Sequence, residues 1–127
     1  MNFPNNLKYS ADHEWVRVEG EEGVIGITDF AQKSLGDVVF LDIDTAGETL
    51  YTGERFGTVE AVKTVSDMLM PIDGKVIEVN PSLETAPEKV NKDPYGEGWM
   101  IRIQISNVSD LDALMSAAEY EAYTGKL

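Results

Sequence analysis

The sequence predicts a mainly β fold, a compact β-sandwich or small barrel with short helices and one helix at the C-terminus. Three observations lead there. Short segments alternate apolar and polar residues, the pattern of strands with one buried face. Gly-centred turns separate these segments over most of the length. After Ser109 the apolar residues change to a helical spacing, so the β pattern stops there.

The elements follow in order. Val16-Arg17-Val18-Glu19 alternates as a half-buried strand, Gly20-Glu21-Glu22-Gly23 turns the chain, and Val24-Ile25-Gly26-Ile27 forms the second strand. Thr28 and Asp29 offer N-caps for a short helix through Phe30–Leu35, ended by Gly36. Val38–Ile43 reads as a strand buried on much of both faces. Turns around Ala46–Leu50 and Thr52–Glu54 enclose a short strand, and further extended segments run Phe56–Ala61 and Met68–Met70. Pro71-Ile72-Asp73-Gly74 turns into the strand Lys75–Val79. Pro81–Pro94 is polar and holds three of the five prolines, so it reads as loop with at most one helical turn near Pro87–Val90. Trp99–Ile105 is the last strand.

Ser109 reads as the N-cap of the C-terminal helix, expected over about 109–124, with Asp110 and Asp112 in its first turn and Gly125 at its end. Its stripe is Leu111, Leu114, Met115, Ala118 and Ala122. Gly36-Asp37-Val38-Val39 is echoed by Gly74-Lys75-Val76-Ile77, as two similar half-sandwiches would give.

Composition narrows the function. A length of 127 residues fits one domain. With no cysteine and the single histidine His13, the chain has no thiolate nucleophile, disulfide or histidine-cluster metal site, so no metal is expected. Catalysis would have to rest on carboxylates and hydroxyls, whose spacing suggests no site, so a non-enzymatic role is expected. A net charge of −13 repels nucleic acid and anionic membranes and favours steering toward basic patches on other proteins. No stretch approaches a membrane span, and Met1-Asn2-Phe3-Pro4-Asn5-Asn6 lacks the pattern of a signal or transit peptide. The expectation is a monomer in a bacterial cytoplasm, or in a mitochondrial matrix if the chain is a processed eukaryotic one.

The informative stretch is Gly57–Asp67, closed by Pro71–Gly74: a strand, a bend at Lys63, and a return. Val62 and Thr64 on either side of Lys63 favour an extended backbone that projects the amine outward. On spacing alone, an exposed strand-end lysine is an ordinary edge-protecting charge. Glu60-Ala61-Val62-Lys63-Thr64-Val65-Ser66-Asp67, however, resembles the lipoyl-attachment signature of the glycine cleavage system H-protein family. Lys8–Val16, Gly26–Gln32, Leu35–Phe40 and Asn91–Trp99 resemble further blocks of that family, in family order from about Leu7 to about Tyr123. Ala61 and Thr64 depart from it, standing where the family often has Ser and Ala.

The resemblance implies a lipoyl/biotinyl-type β-sandwich (a barrel-sandwich hybrid), with a lipoyl-binding core over about 24–105 and lipoate joined as an amide to Lys63 at a hairpin tip. It implies a carrier in glycine catabolism. A pyridoxal-phosphate glycine decarboxylase (P protein) would load an aminomethyl group, and a tetrahydrofolate-dependent aminomethyltransferase (T protein) would unload it. Dihydrolipoamide dehydrogenase (L protein) would reoxidise the dithiol, and a lipoyl ligase or transferase would attach the cofactor. It further places Glu14 and Asp67 beside the loaded arm, where a carboxylate would pair with the bound ammonium; Asp12 stands where the family can have Ser. Alternatives are a lipoyl relay protein, which needs the same Lys63, and two other carrier types. A biotin carrier would place Met on both sides of the lysine, and a 2-oxo-acid dehydrogenase lipoyl domain would usually place Asp before it; this chain has Val62 and Thr64.

Overall fold

The computed structural model describes all residues, Met1–Leu127. Two antiparallel sheets face each other. The larger has six strands in the order β1-β2-β3-β9-β8-β5, and the smaller has three in the order β4-β6-β7. The strands are β1 (Lys8–Tyr9), β2 (Glu14–Glu19), β3 (Glu22–Ile27), β4 (Val38–Asp42), β5 (Thr49–Leu50), β6 (Arg55–Ala61), β7 (Val65–Leu69), β8 (Gly74–Val79) and β9 (Ile101–Ile105). The helices are α1 (Asp29–Leu35), α2 (Lys89–Lys92) and α3 (Ala117–Thr124). The echoed segments open one strand in each sheet, β4 and β8.

The main core lies between the sheets. Val16, Ile25 and Ile27 from β2 and β3 meet Phe56, Val59 and Met68 from β6 and β7, with Ile101 and Ile103 of β9 completing the layer. A second cluster lies elsewhere against β2 and β3, where Tyr9, Trp15 and Val24 meet Ala117 and Tyr120 of α3. Alternation along β2 therefore divides adjacent residues between two clusters, Trp15 to one and Val16 to the other. Gly26 is required opposite Trp15, because a Cβ there would stand 2.8 Å from the indole ring.

Three expectations need correction. The stretch Pro81–Pro94 holds two helical turns rather than at most one: a 3-10 turn over Pro81–Leu83, where the Asn80 side chain accepts from the Ser82 N–H, and α2. The strand at Val38 is not buried on both faces: Val39 and Phe40 are 47% and 57% exposed, because the pairing with β6 slips between Val38 and Phe40 and leaves Val39 unpaired in a bulge. The C-terminal helix does not run from Ser109. Residues Val108–Ala113 form a 3-10 helix, Leu114 is extended, and the α-helix starts at Ala117. The cause is a backbone pair: the Tyr9 N–H donates to the Met115 carbonyl at 2.9 Å and the Met115 N–H to the Tyr9 carbonyl at 2.8 Å. Met115 cannot serve this bridge and a helix together. Ser116 is the cap instead, and with Glu119 it forms a reciprocal capping box. The inward residues of α3 are Ala117 and Tyr120, whereas Ala118 and Ala122 are exposed.

Candidate functional site

Strands β6 and β7 form a hairpin whose bend is Val62-Lys63-Thr64. The Ala61 N–H donates to the Thr64 carbonyl at 2.8 Å, and the Val62 N–H reaches the Asp37 carbonyl at 3.0 Å, fixing the tip against the turn before β4. Lys63 is exposed and makes no ion pair. Apolar residues surround it: Val62 and Val65 are 75% and 61% exposed, and Phe40 and Val65 flank Glu60 across the register Phe40↔Glu60↔Val65. The next row is Asp42↔Thr58↔Asp67, so two further carboxylates share the outer face.

Beside this hairpin is a cleft of about 150 Å³ between β2, α1 and β7. Asp12, His13, Glu14, Ala31, Leu35 and Asp67 are among its lining residues. The structure thus brings Glu14 and Asp67 to one cavity, with Lys63 four residues before Asp67 along the same hairpin. Asp67 is exposed at the rim. Glu14 is not the solvated strand-edge acid that its isolated sequence position allows; it is 2% exposed. The Ser10 hydroxyl donates to its Oε1 at 2.7 Å, and the Leu69 N–H points to its Oε2 at 3.4 Å. Burial pushes the Glu14 carboxyl up to about 8; the bonds from Ser10 and Leu69 oppose the rise, and Asp12 adds slightly to it. No cation of the chain pairs with it. A buried acid without a cation is a ready partner for an incoming one.

His13 forms another part of the wall. Its φ of 70° puts a non-glycine residue in the left-handed region. The ring lies beside Phe30, 4.7 Å between centroids, with Nδ1 at 2.7 Å from the Tyr120 hydroxyl. That hydroxyl also meets Thr28 Oγ1 at 2.8 Å, and Thr28 caps α1 by accepting from the Ala31 N–H. Burial lowers the His13 pKa, partly offset by Asp12. The ring is therefore a structural link from α3 to the cleft helix.

Sequence reasoning missed Ser10, which holds Glu14, and Asn91, which ties three elements together. Asn91 Nδ2 donates to Gln32 Oε1 at 3.0 Å and to the Gly36 carbonyl at 2.9 Å, while its Oδ1 accepts from the Val38 N–H at 2.8 Å. The available signal was the block Asn91–Trp99, which marks the segment as ordered without showing what Asn91 holds.

Known proteins share this chain's sequence and fold. A family model described as Glycine cleavage H-protein matches residues 7–126. The chain belongs to the glycine cleavage H-protein family. It is 58% identical over 122 residues to the glycine cleavage system H protein of Bacteroides fragilis, covering 96% of this chain and 97% of the relative. It is 55% identical over 123 residues to that of Symbiobacterium thermophilum, covering 97% and 96%. The crystal structure of a glycine cleavage system H protein from Mycobacterium marinum superposes with a TM-score of 0.88 at 38% identity, covering 97% of this chain and 99% of that one. The architecture is accordingly the lipoyl-type β-sandwich, and the chain is a carrier component of the glycine cleavage system. No helix is long and apolar enough to cross a membrane.

Proposed function

We propose that this chain carries lipoate as an amide on Lys63 and moves an aminomethyl group between the glycine decarboxylase and the aminomethyltransferase of the glycine cleavage system, with dihydrolipoamide dehydrogenase restoring the disulfide. The observation that carries this reading is an exposed amine at a hairpin tip beside a cleft with an unpaired buried carboxyl. Acylation removes one cation and takes the net charge from −13 to −14. The bound dithiolane supplies the sulfur chemistry; the protein supplies tether, shelter and countercharge.

Glu14 is the countercharge. A primary ammonium entering the cleft meets a carboxyl that the Ser10 hydroxyl and Leu69 N–H already hold in place. Pairing favours the carboxylate, so Glu14 gives up its proton as the cation arrives. Asp67 at the rim extends the negative potential toward Lys63. Ala31 and Leu35 give one wall of the cleft an apolar surface. Nucleophile and base are supplied by the partners.

The test is intact-mass analysis after incubation with lipoyl ligase, ATP and lipoate. Wild type gains one lipoyl group. Lys63→Arg keeps the charge and the fold and gains none. A lipoylated Lys63→Arg protein overturns the assignment, as does a wild type that stays unmodified.

A further inference from the structure

Four glycines have positive φ, and three of them, Gly20, Gly47 and Gly53, have open space where a side chain would stand. Gly36 is different. A Cβ there would lie 2.9 Å from Lys63 Cε and 3.7 Å from Lys63 Nζ. The lysine therefore does not project straight from the hairpin tip. Its aliphatic stem lies against the backbone that ends α1. Gly36 also has φ 81° and ψ −159°, a conformation open essentially only to glycine.

This contact is braced on both sides. The Val62 N–H to Asp37 carbonyl bond joins the lysine's own bend to the residue after Gly36. Behind it, Asn91 holds the Gly36 carbonyl and the Val38 N–H together. Gly36 is continuous with the cleft as well: Ala31, Ser34 and Leu35, the α1 residues immediately before it, form one cleft wall. Lys63 thus touches the residue that directly follows the cleft-wall residues Ser34 and Leu35, and Glu14 lines the same cleft.

We propose that Gly36 is a positioning residue, a saddle whose missing side chain seats the stem of Lys63 and aims the lysine at the cleft. The proposal rests on Lys63 as the attachment point and adds that the aim precedes attachment. An unguided lysine samples many rotamers, so every docking event would have to restrict it again. A stem already seated presents its arm to the cleft with part of that restriction made. A methyl group at position 36 would collide with the mobile end of a lysine, and the lysine would swing away. The damage falls on direction as well as on folding, because alanine also strains the Gly36 backbone.

The test begins with unmodified protein, by NMR. Wild type should show a nuclear Overhauser contact between the Gly36 Hα and Lys63 Hε protons, and Lys63 Cε should be more ordered than that of exposed Lys75. Gly36→Ala should reduce Lys63 to the mobility of Lys75. Gly53→Ala is the control, because it imposes a positive-φ strain (89° at that site) with nothing nearby to strike; it should lose stability and leave Lys63 ordered. With the arm lipoylated and loaded, Gly36→Ala should lose its cargo on the order of three- to ten-fold faster than wild type. Absence of the wild-type contact overturns the proposal without any variant. Unchanged Lys63 mobility in Gly36→Ala overturns it too, as does an equal change in Gly53→Ala. Intact mass after ligase treatment keeps the two readings apart, since lack of modification in wild type would remove the carrier reading while the contact still decides the saddle.

Discussion

Glu14 shows how far one residue's surroundings can depart from its sequence context. Between His13 and Trp15 it looks like an edge acid, yet the turn from Ser10 to His13 folds it under the cleft with the Ser10 hydroxyl on its carboxyl. The resemblance puts it beside the arm, and in the fold it lines the cleft; burial was invisible because β2 has core residues on both faces. Stability should register this. In the unfolded chain the carboxyl ionises near 4.5, and in the fold near 8. The folded state thus holds the extra proton between those values, and stability falls as pH rises through that window. Each unit is worth about 1.4 kcal/mol, so the full loss is roughly 3–5 kcal/mol. Glu14→Gln cannot ionise. Urea unfolding of both proteins from pH 4 to 9 should show wild type losing stability relative to Glu14→Gln as pH increases, with the difference levelling near pH 8. A constant difference across the range would refute a buried, proton-holding Glu14.

At the scale of elements, most strands were legible because each alternates or carries a Gly turn at its end. Helix α1 was legible from Thr28 and Gly36, its two caps. The C-terminal helix was misplaced because Leu111, Leu114 and Met115 have helical spacing yet serve a 3-10 turn and a bridge to β1. The pair Ser116 and Glu119, spaced as a capping box, was the local signal for the true start. What no local pattern could show is Asn91, whose three partners lie 53 to 59 residues away in sequence. It fastens α2 to α1 and β4, and so holds the Gly36 turn. Asn91→Ala removes all three bonds and strands the Val38 N–H, which should cost about 2–4 kcal/mol. Ser116→Ala, which removes one cap, should cost about 1 kcal/mol. Chemical denaturation of the two variants checks the order, and a Ser116→Ala loss equal to or larger than that of Asn91→Ala would contradict it.

Across the whole molecule the charge is unevenly used. On the six-stranded sheet Arg102 engages Glu19 at 2.9 Å, Glu22 at 3.3 Å and Glu78 at 3.6 Å, and Arg17 engages Glu19 at 3.0 Å. On the three-stranded sheet Asp42, Glu60 and Asp67 make no ion pair, so the outer face of the sheet whose hairpin carries Lys63 holds unpaired negative charge. Partners that must find and leave this face should be steered by it. Stopped-flow association with the decarboxylase should slow markedly between low and high salt, while dissociation changes less, because screening shortens to about 10 Å at 0.1 M. Flat association rates would show that the charge does not guide docking. Finally, the Tyr120 hydroxyl meets His13 across a separation of 107 residues and Thr28 across 92. During synthesis the Lys63 hairpin pairs neighbours and can close while the chain is still growing. The cleft wall waits for Tyr120, which lies 107 residues beyond His13. The Lys63 bend therefore orders from local contacts, whereas the wall that shelters the cleft orders only when distant parts of the chain have met.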